Sequence, residues 1–213
     1  MTRVITILLA LLVPAAALPQ APASLAPRVR FETSAGNFVV ELDTVRAPLT
    51  AENFLRYVRD GAYDGTVFHR VIANFVVQGG GYDDRLAARQ PGAPIPNESG
   101  NGLSNRRGTL GLAREDSPHS GSSQFYINLV DNAGLDPLPS RWGYAVFGRV
   151  VEGMDVVDRI GYMRTETVPS FGSDVPVERP VVKKAYVIDG GAVAAPQPAP
   201  AEPPAEARAD AAR

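Results

Sequence analysis

Between residues 28 and 189 the apolar residues of this chain fall in short runs, cut apart by glycines and polar loops, and only twice in a helical rhythm. Val29, Phe31 and Thr33 alternate with Arg30 and Glu32. Ser34-Ala35-Gly36-Asn37 intervenes, and Phe38, Val40 and Leu42 resume the alternation. Alternation with a period of two on both sides of a turn-forming insert predicts a β-hairpin. Further runs lie at Val67 to Ile72, Phe75 to Val77, Thr109 to Ala113, Phe125 to Leu129, Ala145 to Val150 and Val181 to Ile188. One helical exception is Ala51, Phe54, Leu55 and Val58, spaced i, i+3, i+4, i+7, with Thr50 as N-cap and Gly61 as stop. The other is Met154 to Ile160, where Val157 and Ile160 share a face with Met154 and Gly161 follows. Successive strands without βα alternation predict a mainly β fold: a closed antiparallel eight-stranded barrel capped by two helices. The 20 Gly and 19 Pro suit many turns, and 45% hydrophobic residues can supply one core. One domain with tails is the simpler reading of 213 residues, and no internal repeat is present.

The ends read differently from the middle. Arg3 precedes the apolar run Val4 to Val13 and then Pro14-Ala15-Ala16-Ala17, the layout of a secretory signal peptide over residues 1–17. A membrane anchor is the rival reading, but the run falls short of the roughly 20 residues that span hydrocarbon. Cleavage is expected after Ala17, or later near Ala21 or Ala23. Residues 18–27 read as a linker, and the Ala/Pro-rich residues 190–213 cannot bury enough apolar area to offset ordering entropy, so that tail is expected to be disordered.

Removing the signal takes away Arg3 alone among the charged residues, leaving 20 basic side chains against 23 acidic ones and moving the formal charge from −2 to −3. No basic patch argues for nucleic acid. With no cysteine and two isolated histidines, His69 and His119, the chain offers neither a disulfide framework nor a plausible zinc set, and no cofactor is expected. Lipid attachment would likewise lack its cysteine.

Three blocks carry a family resemblance: Phe68-His69-Arg70-Val71-Ile72-Ala73-Asn74-Phe75-Val76-Val77-Gln78-Gly79-Gly80, then Gly108 to Ala113 followed by Ser122-Ser123-Gln124-Phe125-Tyr126-Ile127, then Tyr144 to Val150 with Glu152-Gly153-Met154. In this order, across nearly all of residues 28–189, they resemble the signatures of cyclophilin-type peptidyl-prolyl cis/trans isomerases, the exported bacterial members above all. The resemblance implies an isomerase domain over 28–189 that accelerates X-Pro isomerisation in exported proteins during folding, and with the signal peptide it puts the chain in the periplasm. It makes proline-containing polypeptides the partners of a monomer without stable membrane insertion after signal cleavage.

A prolyl bond resists rotation by about 18–20 kcal/mol because twisting it destroys amide resonance. As it twists, the nitrogen lone pair localises, so a donor aimed there stabilises the transition state more than the planar ground state. Arg70 is the natural donor, and a charge-assisted bond of ~3 kcal/mol corresponds to about a hundredfold. The resemblance places Phe75, Val76, Tyr126 and Leu135 in an apolar slot for the proline ring, Gln78 and the backbone near Ala113 along the flanking peptide, and Tyr144 at the rim, where the family usually has histidine. Rings that exclude water would strengthen the Arg70 contact. This requires that Arg70 face a groove and not be neutralised by an acidic neighbour.

Each assignment has a structural competitor. Arg70 could be a surface arginine, Phe75, Val76, Tyr126 and Leu135 ordinary core, and Gln78 a plain strand residue. His69 is expected to pack rather than to act as acid or base, because isomerisation transfers no proton. His119 is expected to be solvated. Two departures matter: Gly134 stands where relatives carry an aromatic wall, often tryptophan, which puts cyclosporin binding in doubt, and Arg114 stands where many have asparagine. Trp142 either folds back to replace the missing ring or anchors its own loop. The rival functions are a non-catalytic chaperone that holds proline segments and a hydrolase using Ser120, Ser122 or Ser123 near His119, although the Gly-x-Ser-x-Gly elbow is absent.

Overall fold

The computed structural model describes residues 26–189. The expected export signal, most of the expected linker and the expected tail lie outside the described residues. In chain order the elements are β1 (Arg28–Thr33), β2 (Gly36–Leu42), α1 (Pro48–Arg59), β3 (Thr66–Ile72), β4 (Val76–Asp83), β5 (Thr109–Leu112), β6 (Phe125–Asn128), a 3-10 turn (Ala133–Leu135), β7 (Val146–Glu152), α2 (Met154–Gly161), β8 (Thr165–Val168), β9 (Gly172–Pro176) and β10 (Val182–Asp189).

The first hairpin forms as its alternation predicts. Val29 pairs with Val40 and Phe31 with Phe38 across β1 and β2, so all four side chains share the buried face, and the two phenyl rings stack 4.9 Å apart. From this pair an aromatic core spreads across the molecule: Phe54 of α1 lies 5.3 Å from Phe125 of β6 and 5.1 Å from Phe147 of β7, and Phe68 of β3 lies 6.2 Å from Phe125. Burying each such ring is worth about 1.5–3 kcal/mol.

Eight strands form one antiparallel sheet in the order β10-β1-β2-β7-β5-β6-β4-β3. It curves into a half-barrel and does not close, contrary to the closed barrel expected from sequence. The end strands meet only at the bridge between Val67 and Val181, with Phe68 N–H donating to Pro180 O and Gly65 N–H to Val182 O. Pro180, just ahead of β10, has no N–H to extend that ladder. The outer side of β3 packs instead against β9, which belongs to a two-stranded β8–β9 hairpin that no apolar rhythm announced.

α1 begins earlier than its apolar spacing suggests. Pro48 occupies the first turn after Ala47, and Thr50 is not the N-cap. Its N–H and hydroxyl, with the N–H of Leu49, donate to the carboxylate of Glu98, which performs the capping from a distant loop. Gly61, at φ +65°, ends the helix in the left-handed conformation that suits glycine. α2 starts at Gly153, at φ +77°, where a Cβ would come within 2.5 Å of the Asn37 carbonyl oxygen.

Candidate active site

Strand register sorts the signature residues onto two faces. Val71, Val77, Ile127 and Leu110 lie opposite one another across β3, β4, β6 and β5, and all four belong to the core. The adjacent row, Arg70, Gln78, Tyr126 and Gly111, therefore points to the other side, and Val76, two residues before Gln78, points with it. Gly111 has no side chain because the Tyr126 ring lies over it: a Cβ there would sit 2.2 Å from the ring.

A bulge aims Arg70. Phe68 pairs with Gly79 and Arg70 with Gln78, so His69 is an extra residue in β3, and the strand bends where the arginine leaves it. Arg70 Nη1 donates to Gln78 Oε1 at 3.3 Å, and Gln78 Nε2 donates to Gln124 Oε1 at 2.9 Å. Its Nε lies 3.8 Å from Asp174 Oδ2 on β9, with the two side chains 41% and 36% exposed. An acidic neighbour is thus present, but the pair is long and solvent-screened, and such pairs contribute about 0–1 kcal/mol. Nη2 has no partner among the described residues.

Of the residues expected in the slot, Val76 and Tyr126 lie on strands, and Phe75 and Leu135 on connecting segments. The β3–β4 turn, in which Phe75 N–H donates to Ile72 O and Asn74 takes φ +58°, presents Phe75 half-buried. Asn132 Nδ2 donates to the Phe75 carbonyl. Tyr144 N–H donates to Leu135 O, and the Tyr144 ring meets Tyr126 edge-on at 6.0 Å. Behind them Asn105 is a buried hub: its side-chain oxygen accepts from Tyr126 Oη at 2.6 Å, and its two N–H donors reach Asp136. Burial pushes the Asp136 carboxyl upward, but hydrogen bonds from Ser104 and Asn105 outweigh it and hold the group below its ordinary range. Burial drives the Tyr126 phenol well above its usual value, so it remains a donor at any physiological pH. Ala113 donates its N–H to Gln124 O and, with Gln78 and Gln124, lines an adjoining cavity of about 430 Å³.

Residues 28–188 match the family described as cyclophilin type peptidyl-prolyl cis-trans isomerase/CLD. The chain belongs to the cyclophilin family. It is 49% identical over 163 residues to a peptidyl-prolyl cis-trans isomerase of Streptomyces antibioticus, covering 75% of this chain and 98% of that one. Over 170 residues it is 44% identical to isomerase A of Dickeya dadantii, covering 80% and 89%. A solved cyclophilin of Cryptosporidium parvum is similar at 26% identity with a TM-score of 0.61, covering 78% of this chain and 99% of that one. The activity is peptidyl-prolyl cis/trans isomerisation.

Of the eight residues expected in the site of this cyclophilin, Arg70, Gln78 and Tyr126 share one row with Val76 beside it, Tyr144 joins Leu135 to Tyr126, Ala113 donates its N–H to Gln124 O, and Phe75 stands on the β3–β4 turn tied to Asn132. His69, by contrast, turns away from the slot: it is 5% exposed, packs edge-on to Tyr82 at 4.6 Å, and is held at a pKa of about 4, chiefly by burial and also by the neighbouring charge of Arg70. Trp142 is 47% exposed, packs edge-on against His119 at 5.2 Å and lines a separate cavity of about 390 Å³ with Pro137 and Leu138, so it neither replaces the missing ring at Gly134 nor anchors its loop by burial. The ring flanking the slot is instead covered by Arg114, whose guanidinium lies 4.5 Å over Tyr144 and donates to the carbonyls of Glu115, Trp142 and Gly143. The serine loop has no nucleophile–base pair: Ser120 Oγ donates to Ser117 O, and His119 Nδ1 accepts from Asn97 N–H. Asn105, Gln124, Asn132, Asp136 and Asp174 were not anticipated. Only the stretch Gln124-Phe125-Tyr126 gave any cue, through the second signature block.

Proposed function

We propose that this cyclophilin is an exported, monomeric isomerase that uses Arg70 as the donor to the twisting prolyl nitrogen. The observation that carries the reading is Arg70 standing in one row with Gln78 and Tyr126, hydrogen-bonded at Nη1 to Gln78, with Asp174 3.8 Å from Nε and Nη2 free of partners among the described residues. A proline ring would enter between Phe75, Val76, Tyr126 and Leu135, with Tyr144 at the rim and the preceding residues running past Gln78 and Ala113. Because the lone pair is available only in the rotated bond, the Arg70 contact selects the transition state. A cyclophilin from Cryptosporidium parvum solved in the presence of the dipeptide Ala-Pro supports proline-containing polypeptides as partners.

Export rests on the pattern of residues 1–17, and the periplasm is the proposed compartment. Among the described residues no helix is long and apolar enough to cross a membrane. N-terminal sequencing of protein recovered from the periplasmic fraction tests this, and an intact Met1 would overturn it.

A magnetisation-exchange assay on an Ala-Pro peptide tests the mechanism. Wild type accelerates exchange, and Arg70→Ala loses about a hundredfold in kcat/KM, the equivalent of a ~3 kcal/mol charge-assisted bond. Undiminished turnover in Arg70→Ala would remove Arg70 from the mechanism.

A further inference from the structure

Arginine carries five N–H donors on a planar fork at the end of a flexible stem, so its value as a transition-state donor depends on where the fork is held. Gln78 takes a hydrogen from Nη1, and Asp174 faces Nε from another side. Between them they account for two directions of the fork and leave Nη2 for substrate. Asp174 is itself firmly mounted. The β8–β9 hairpin that carries it inserts Phe171 against Tyr82 at 4.9 Å and His69 at 6.4 Å, and the next residue, Val175, is 1% exposed. Asp174 Oδ1 accepts from the Ser173 hydroxyl at 3.2 Å, and among the described residues no cation other than Arg70 lies within ion-pair distance of the carboxylate.

We infer that Asp174 is a positioning residue for Arg70, holding the guanidinium so that Nη2 faces the reacting amide. This rests on the reading of Arg70 given above. Two effects of the carboxylate oppose each other: it fixes the fork, and it weakens the positive field at the substrate. At 3.8 Å, with both groups more than a third exposed, water weakens both effects, but it weakens the field at the substrate, which lies beyond the guanidinium, more than the contact itself. A hydrogen bond, however, weakens steeply once its angle departs from linearity. Orientation therefore dominates, and removing the carboxylate lowers turnover rather than raising it.

Asp174→Asn and Asp174→Ala separate these effects, with kcat and KM measured on an Ala-Pro peptide beside wild type and Arg70→Ala. Both Asp174 variants are expected to lose about fivefold in kcat, with KM within about twofold and an unchanged melting temperature. Asp174→Glu is expected to restore at least half of the rate, since it returns the charge. A rise in kcat would mean that Asp174 quenches Arg70, and an unchanged kcat that it does nothing. A fall in kcat matched by a rise in KM and a lower melting temperature would make it merely structural. Any of the three overturns the inference. If Arg70→Ala keeps full turnover, the reading of Arg70 fails first. If Arg70→Ala loses turnover while the Asp174 variants do not, only the positioning role fails.

Discussion

At Gly134 the slot lacks a side chain and the space beside it is empty: a Cβ built there meets no atom within 4 Å, and the backbone does not require glycine. Neither Trp142 nor Arg114 fills that gap, since one packs on His119 and the other on Tyr144. Gly134→Phe is therefore expected to add a wall without strain. An aromatic contact worth about 0.5–1.5 kcal/mol should lower KM for an Ala-Pro peptide by about two- to tenfold. Cyclosporin affinity should rise in the same variant. Titration of both ligands against wild type checks this, and an unchanged KM together with unchanged cyclosporin affinity would show that position 134 does not border the bound ring. The missing wall at 134 was legible from the family resemblance, but whether another residue compensated was not, because that depends on where a loop folds.

Among the elements, those with a period were legible and those held by single contacts were not. β1 and β2 alternate over a full core face, whereas Thr165-Glu166-Thr167-Val168 and Gly172-Ser173-Asp174-Val175 show no alternation, and their hairpin is held by Phe171 and Val175. Seven of the eight residues expected in the site lie in the three signature blocks, and Leu135 lies outside them. The Asn105–Asp136 hub was not, since polar loop residues carry no rhythm. α1 gives the same lesson at its start, where apolar spacing located the helix but could not reveal a cap 48 residues away in sequence. Glu98 meets two backbone N–H groups and one hydroxyl there, and its charge also suits the positive end of the helix. Glu98→Ala should cost about 1–2 kcal/mol in denaturant unfolding, and Glu98→Gln less, since an amide oxygen can still accept. Equal midpoints for wild type and Glu98→Ala would leave the cap without energetic weight.

For the whole molecule, the seam between the half-barrel and the β8–β9 hairpin makes stability depend on acidity through one residue. His69 is enclosed there by Tyr82 and Phe171, and burial holds its pKa at about 4 against an ordinary 6.5. Between those values the unfolded chain binds a proton that the folded chain does not. Stability therefore rises with pH across this window and falls on acidification, by ~3 kcal/mol in all, and below about pH 4 the contribution stops growing. Carboxylates act in a different range. Glu41, lowered by its hydrogen bonds from Arg149 and Arg28, and Asp136, lowered by its hub, stabilise fully above their unfolded values of 4.5 and 3.8 and lose that stabilisation only as pH falls below them. The interval from pH 6.5 to about 4.5 thus belongs mainly to His69. Urea unfolding at pH 7 and 4.5 should show a loss of ~2–3 kcal/mol in wild type and a nearly flat response in His69→Gln, whose amide does not titrate. Turnover at saturating Ala-Pro peptide should change little over the same interval, because the reaction transfers no proton and Tyr126 stays protonated throughout. An equal loss of stability in His69→Gln would place the acid sensitivity elsewhere in the fold.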